Sequence, residues 1–138
     1  MVDLLYKHEV FELVGLCMEI HRQLGKGFDE VIYKDALVIE LERAGIQFSR
    51  ETPLQIRYRG VVLPHAYRAD FVIQGKILLE AKAVEGLVDG HVKQVLNYLA
   101  GAKLELGLLV NFGADPLEWK RVILSEARSG RKAVSFEL

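Results

Sequence analysis

The chain has 138 residues, 51% of them apolar and 27% charged, with a net charge of −1; this suits a single domain spanning 1–138 with a core of its own and excludes a disordered polymer. No apolar run approaches the roughly 20 residues that cross a bilayer, and one cysteine, Cys17, excludes an internal disulfide. The near-neutral charge counts against strong, autonomous binding to duplex DNA, which usually shows a basic surplus.

Met1-Val2-Asp3 lacks a basic region, and Asp3, Lys7 and Glu9 interrupt any apolar stretch, so no signal peptide is expected and the compartment is read as the reducing cytoplasm. Leu4 to Leu24 reads as a helix, with Val10, Val14, Cys17, Met18 and His21 at helical spacing and Asp3 able to cap it. Gly25-Lys26-Gly27 breaks it. A second helix runs from about Phe28 to Ala44, with Val31, Ile32, Ala36, Leu37, Ile39 and Leu41 apolar and Gly45 as its C′ residue. On it Glu30, Tyr33 and Leu37 share a face, while Lys34 and Glu42 read as solvated. From Ile46 to Leu63 the period changes to two, with a turn at Gly60. Tyr67–Ile73 and Ile77–Lys82 read as a strand pair, Val84 to Asp89 as a loop, and Gly90 to about Ala100 as a third helix. The continuous apolar run Leu106 to Val110 has the character of a strand buried on both faces. Trp119 to Leu124 reads as a strand at a sheet edge, and the residues from Ser125, with Arg128, Arg131 and Lys132, as solvated. The order of elements implies an α/β sandwich with a mixed central sheet flanked by helices.

The strand pair carries charges where a buried hairpin should be apolar. Asp70 interrupts the first strand, and Glu80 and Lys82 lie two apart on the second, on one face. Buried carboxylates and an ammonium are costly unless they pair or bind a cation. Carboxylates and a backbone carbonyl are the donors that hard cations such as Mg²⁺ or Mn²⁺ prefer, so Asp70, Glu80 and the carbonyl of Ala81 are candidate ligands. Lys82 would then stand beside the attacking water and the phosphate. Gln94 and Tyr98, one helical turn apart, face the same way, and Gly27 leaves the backbone room to turn one turn before Glu30. The bland alternative is a solvated strand edge, since an acid-x-Lys triplet is common and surface ion pairs are weak; Tyr33 and Tyr98 would then be core residues. No zinc-ligand pattern, phosphate-cradling glycine loop or G-x-S-x-G elbow is present.

Gly27-Phe28-Asp29-Glu30-Val31-Ile32-Tyr33 resembles the G-x-x-E-x-x-Y signature of a family of small proteins within the PD-(D/E)XK nuclease superfamily. Ile20–Gly25, Tyr67–Asp70, Leu79–Val84, His91–Leu99 and Leu108–Gly113 extend the resemblance over about residues 5 to 124, with Lys26 where that family often has proline. Gln94-Val95-Leu96-Asn97-Tyr98 is similar to the Q-x-x-x-Y motif of RecB-type nucleases. The resemblance implies a restriction-endonuclease-like core and Mg²⁺-dependent hydrolysis of phosphodiester bonds, DNA in preference to RNA. Asp70 and Glu80 would hold the metal, and Glu30 would bind through water or a second ion. Lys82 would position the water, Gln94 would orient Lys82, and Tyr98, Tyr33 and Gly27 would support them. Arg68, Lys93, Lys120 and Arg121 would supply a basic patch. The rival reading is a catalytically silent or partner-dependent binding module of the same fold, with room for a homodimer or a protein partner.

Two geometric expectations follow. Asp70 and Glu80 share a face only if Gln74 to Lys76 form a three-residue connection or a glycine bulge, because a one-residue slip exchanges faces. Glu30 should approach the pair from one side and Gln94 from the other, and the crowding of three carboxylates should raise at least one pKa in the metal-free protein.

Overall fold

The computed structural model describes residues 4–125; the expected Asp3 cap and the basic C-terminal stretch lie outside that range. Helix α1 is Lys7–Leu24 and α2 is Glu30–Arg43; strand β1 is Phe48–Leu54, β2 Arg57–Tyr58, β3 Val61–Val62, β4 Tyr67–Ile73 and β5 Ile77–Lys82; α3 is Asp89–Ala102, β6 Leu106–Asn111 and β7 Glu118–Ile123. Five strands form one sheet in the order β1-β4-β5-β6-β7, and β2 and β3 form a separate hairpin. The β5–β6 pair is parallel and the others are antiparallel. A parallel pair needs a crossover, and α3 supplies it.

Each face of the sheet carries helices, which is the expected α/β arrangement. Leu13, Cys17 and Ile20 of α1 and Tyr33, Leu37 and Leu41 of α2 pack with Ile77, Leu79, Ala81, Leu106, Leu108 and Val110. On the other face Val95 and Leu99 of α3 pack with Leu78, Leu109 and Val122. Strand alternation explains the partition, since odd and even positions of β5 point to opposite layers. Cys17 belongs to the core, and burial pushes its thiol up to about 12. Gly107 lets α3 approach β6: a Cβ there would lie 2.5 Å from the Val95 Cγ1 methyl.

Helix α2 departs from its sequence reading. Its apolar residues Val31, Ile32 and Ile39 are exposed, and the buried stripe is the narrower Tyr33-Leu37-Leu41. The period-two segment also divides: β1 leaves the sheet after Leu54, and Tyr58, Val61 and Leu63 stand exposed on the β2–β3 hairpin rather than in the core. The turn at Gly60 holds, with Arg59 at φ +51° and Gly60 at φ +79°, the pair of positive φ values that a tight two-residue hairpin turn requires.

Candidate active site at the fork between two strands

The β4–β5 connection is the three-residue turn Gln74-Gly75-Lys76, with Ile73 opposite Ile77 and Phe71 opposite Leu79. That register carries Asp70 to the level of Glu80. The backbone ladder stops there, and side chains take it over. The Glu80 Oε2 accepts a hydrogen bond from the Asp70 N–H at 2.6 Å, and the Asp70 Oδ2 accepts one from the Ala81 N–H at 2.9 Å. Each carboxylate thus satisfies a backbone donor of the opposite strand, and both acids are buried.

A break in strand alternation aims Asp70 into this fork. Phe71 and Ile73 pack in the layer of α1 and α2, whereas Ala69 and Tyr67, of the same parity, pack in the layer of α3. The alternation resets between Ala69 and Phe71. Opposite Asp70 on β1, Glu51 drops out of the pairing between Arg50 and Thr52 and adopts φ +53°, an unusual conformation for a residue with a Cβ. The two acids therefore face one another across a local twist of β1 against β4.

The remaining residues converge from three elements. Lys82 ends β5 and donates from Nζ to Gln94 Oε1 of α3 at 2.8 Å. Tyr98, one turn further along α3, has its ring centroid 5.0 Å from that of Tyr67. Burial, then the charges of Glu80 and Asp70, raise its phenol above the ordinary value. Glu30 opens α2 and approaches from the opposite face; burial and then the Asp70 charge raise its pKa, with Lys82 and Lys34 opposing. Glu80 is raised further, to about 8, by burial first and the Asp70 charge second. Glu30 and Gln94 thus stand on helices that cover opposite faces of the sheet, and two carboxylates carry the expected upward shift.

Tyr33 and Gly27 act through the backbone. The Tyr33 hydroxyl donates to the Gly25 carbonyl at 2.6 Å and accepts from the Phe28 N–H at 3.2 Å, while its ring stacks on Phe112 at 4.6 Å. Gly27 takes φ +118°, a region that side chains rarely adopt. Together they hold the loop that presents Glu30.

Lys34 corrects the sequence reading. It is not solvated: its side chain is 13% exposed, and Nζ donates to Asp70 Oδ1 at 3.1 Å and to Glu51 Oε2 at 3.2 Å. Burial opposes its charge, but the Asp70 carboxylate and the two hydrogen bonds outweigh it and raise the ammonium above its ordinary pKa. Lys34 lies one residue after Tyr33 on α2, and only its partners, far off in sequence, reveal its role. A second set of residues also gave no chemical signal. Buried Asn111 accepts from the Val84 and Gly113 N–H groups and donates to the Val84 carbonyl and to Glu118 Oε1. Glu118 Oε1 also accepts from the Leu87 N–H. A Cβ at Gly113 would lie 2.3 Å from the Val84 carbonyl oxygen. Asn111, Gly113 and Glu118 thus clamp the loop between Lys82 and α3, which sets where Gln94 stands.

The basic residues do not form one patch. Lys93, Lys120 and Arg121 line a groove between α3 and β7, but an Arg121 Nη2 donates to the Leu5 carbonyl at 2.8 Å. Arg68 lies on β4 and donates to the Glu51 carbonyl at 3.3 Å.

With this geometry in place, comparison with known proteins decides the family. The family model of the PD-(D/E)XK nuclease superfamily matches residues 7–122. The chain belongs to that superfamily. No match was found among curated proteins. A solved structure described as "Crystal structure of SSO0001" is similar to this chain, at 26% identity and a TM-score of 0.53 over 75% of this chain. The chain spans 56% of that structure's length. The five-stranded mixed sheet flanked by helices is the restriction-endonuclease-like core of PD-(D/E)XK proteins. Nucleases of the superfamily are generally dependent on divalent metals. In this PD-(D/E)XK chain the donor set fits such an ion. Asp70 and Glu80 offer oxygens in a fork where burial, and then the Asp70 charge, already raise Glu80. The Ala81 N–H points to Asp70, and in an extended strand the carbonyl of a residue points to the same side, past the end of the ladder. Among the described residues no three His, Cys, Asp or Glu side chains converge as a ready cation site, so the fit is to two carboxylates, a carbonyl and waters, with Glu30 further out.

Proposed function

We propose that this chain is a metal-dependent nuclease that hydrolyses phosphodiester bonds of nucleic acid, DNA in preference to RNA, and belongs to the G-x-x-E-x-x-Y branch with a RecB-like Q-x-x-x-Y helix. The observation that carries the reading is the fork itself: Asp70 and Glu80 cross-linked to each other's strands, with Lys82 held by Gln94 beside them. Asp70, Glu80 and the Ala81 carbonyl would hold Mg²⁺ or Mn²⁺, and Glu30 would bind through water. The ion supplies a Lewis acid and lowers the pKa of water at neutral pH. Lys82 orients the attacking water and stabilises charge that develops on the phosphate. Gln94, by accepting from Lys82 Nζ, fixes where that charge stands. Tyr98 closes the side of the site next to Glu80. The unpaired, buried thiol of Cys17 accords with a cytoplasmic protein.

Lys34 favours a second reading, that of a silent or partner-dependent module of the same fold. Its ammonium already neutralises Asp70. The deciding experiment is a cleavage screen with Mn²⁺ on single-stranded, duplex and branched substrates, with Asp70→Asn as the control. Cleavage by wild type and none by Asp70→Asn supports the nuclease. Metal binding without cleavage of any substrate hands the function to the second reading.

A further inference from the structure

The net charge of −1 conceals an uneven distribution. From Thr52 to Ala69 there is no Asp or Glu, while Arg57, Arg59, His65 and Arg68 all fall there. This stretch contains the β2–β3 hairpin, which stands apart from the main sheet. Arg57 lies opposite Val62 and Tyr58 opposite Val61, so the hairpin has a tyrosine face and an arginine face. Tyr58 is 61% exposed and Val61 64%. The ion pairs formed among the described residues leave out Arg57 and Arg59. Arg59 itself occupies the tip, at φ +51°.

The position of the hairpin gives this chemistry a use. β1 and β4 run from the site to its base through the pairs Thr52–Ala69, Pro53–Arg68 and Leu54–Tyr67. At ~3.3 Å per strand residue the base stands about 10 Å from Asp70 and Glu51. That is about three steps along a nucleic-acid strand, at about 3.4 Å per step. We infer that the β2–β3 hairpin is a nucleic-acid grip, in which Arg57 and Arg59 hold backbone phosphates about three steps or more from the cleaved bond and Tyr58 stacks on a base. The inference rests on the nuclease reading and adds to it a binding element separate from the Lys93–Lys120 groove. Charge complementarity selects this occupant: unpaired guanidiniums beside an exposed aromatic ring match a strand of phosphates and bases, and the acid-free run offers no counter-charge to a basic partner.

The test is fluorescence anisotropy of a labelled single strand and a labelled duplex with the metal-free full chain, over a range of salt. Arg57→Ala/Arg59→Ala should weaken binding about tenfold or more and reduce the slope of log K against log salt by about 1.8 on duplex, or about 1.4 on single strands. Tyr58→Ala should weaken single-strand binding about tenfold, and duplex binding much less. Lys7→Ala/Arg43→Ala, which removes two charges elsewhere, should leave the slope within about 0.5 of wild type. Circular dichroism melts check that each variant folds, as these exposed positions should allow. Unchanged affinity and slope in Arg57→Ala/Arg59→Ala, with wild type binding well, would overturn the grip and leave the nuclease reading intact. Failure of wild type to bind either nucleic acid would overturn the nuclease reading and the grip with it. A dimer in sedimentation that Tyr58→Ala/Val61→Ala converts to monomer would assign the face to a second copy of the chain and overturn the grip.

Discussion

Strand β5 has two neighbours, and they treat it differently. Against β6 it pairs over its whole length, from Ile77 with Leu106 to Lys82 with Asn111. Against β4 it pairs only from Ile77 to Leu79, after which Glu80 and Asp70 replace the ladder with side-chain bonds. On the β6 side the backbone satisfies itself, and apolar side chains fill both layers. On the β4 side a carboxylate takes the place of each missing carbonyl acceptor, and anionic oxygens gather where a packed sheet would have had none. The one side yields stability and the other yields a site, at a cost that the raised Glu80 and Glu30 pKa values record.

Changes on the two sides should therefore separate. Asp70→Asn keeps an acceptor for the Ala81 N–H but removes the charge. It should abolish Mn²⁺ binding by calorimetry and lower cleavage by about 10³-fold, with only a small change in melting temperature. Leu108→Ala, on the fully buried β6, should do the reverse: a loss of about 2–5 kcal/mol in urea unfolding, with Mn²⁺ affinity retained by the folded fraction. If Leu108→Ala removed metal binding as well, the two sides of β5 would be one unit.

Lys82→Ala divides the site itself. Cleavage should fall by about 10²-fold, while Mn²⁺ affinity holds or tightens, because a nearby positive charge opposes a cation. Equal cleavage by wild type and Lys82→Ala would place the chemistry elsewhere.

The pH dependence tests the cost at the fork. Glu80 is raised from 4.5 to about 8 by burial and by Asp70. Between those values the folded chain holds a proton that the unfolded chain has lost. The contribution of this group to stability is thus fully present below about pH 4.5 and drains away as pH rises toward about 8. The melting temperature of metal-free protein should fall across that window, and Glu80→Gln should flatten the fall. A slope of the opposite sign in wild type would mean that Glu80 stays ionised in the fold. The smallest expected effect belongs to Lys34→Gln. Removing the ammonium from Asp70 should tighten Mn²⁺ binding by about tenfold or less, because a nearby positive charge opposes a cation; weaker binding would show that Lys34 organises the site instead of competing for it.

Strand order aside, much of this architecture can be read along the chain, because it rests on periodicity. The β4–β5 strands have the expected ends, and α1, α3, β6 and the edge strand β7 stand within a few residues of theirs. Asp70, Glu80 and Lys82 are conspicuous because charge in an apolar strand is rare, and parity alone demands the three-residue turn that brings the two acids level. Lys34 could not be read this way. Its helical position is that of a solvated residue, and its partners Glu51 and Asp70 meet only when β1 pairs with β4. The exposure of Val31, Ile32 and Ile39 was equally hidden, since composition does not say which stripe of a helix the sheet will cover. Local sequence determined the elements, the candidate acids and the turn between their strands, because these follow from spacing along one segment. Tertiary structure alone decided which ammonium neutralises Asp70, that Glu51 twists out of its ladder, that Asn111 clamps the loop before α3, and that the acid-free hairpin rises beside the fork. Each of these depends on groups distant in the chain, whose meeting no local period encodes.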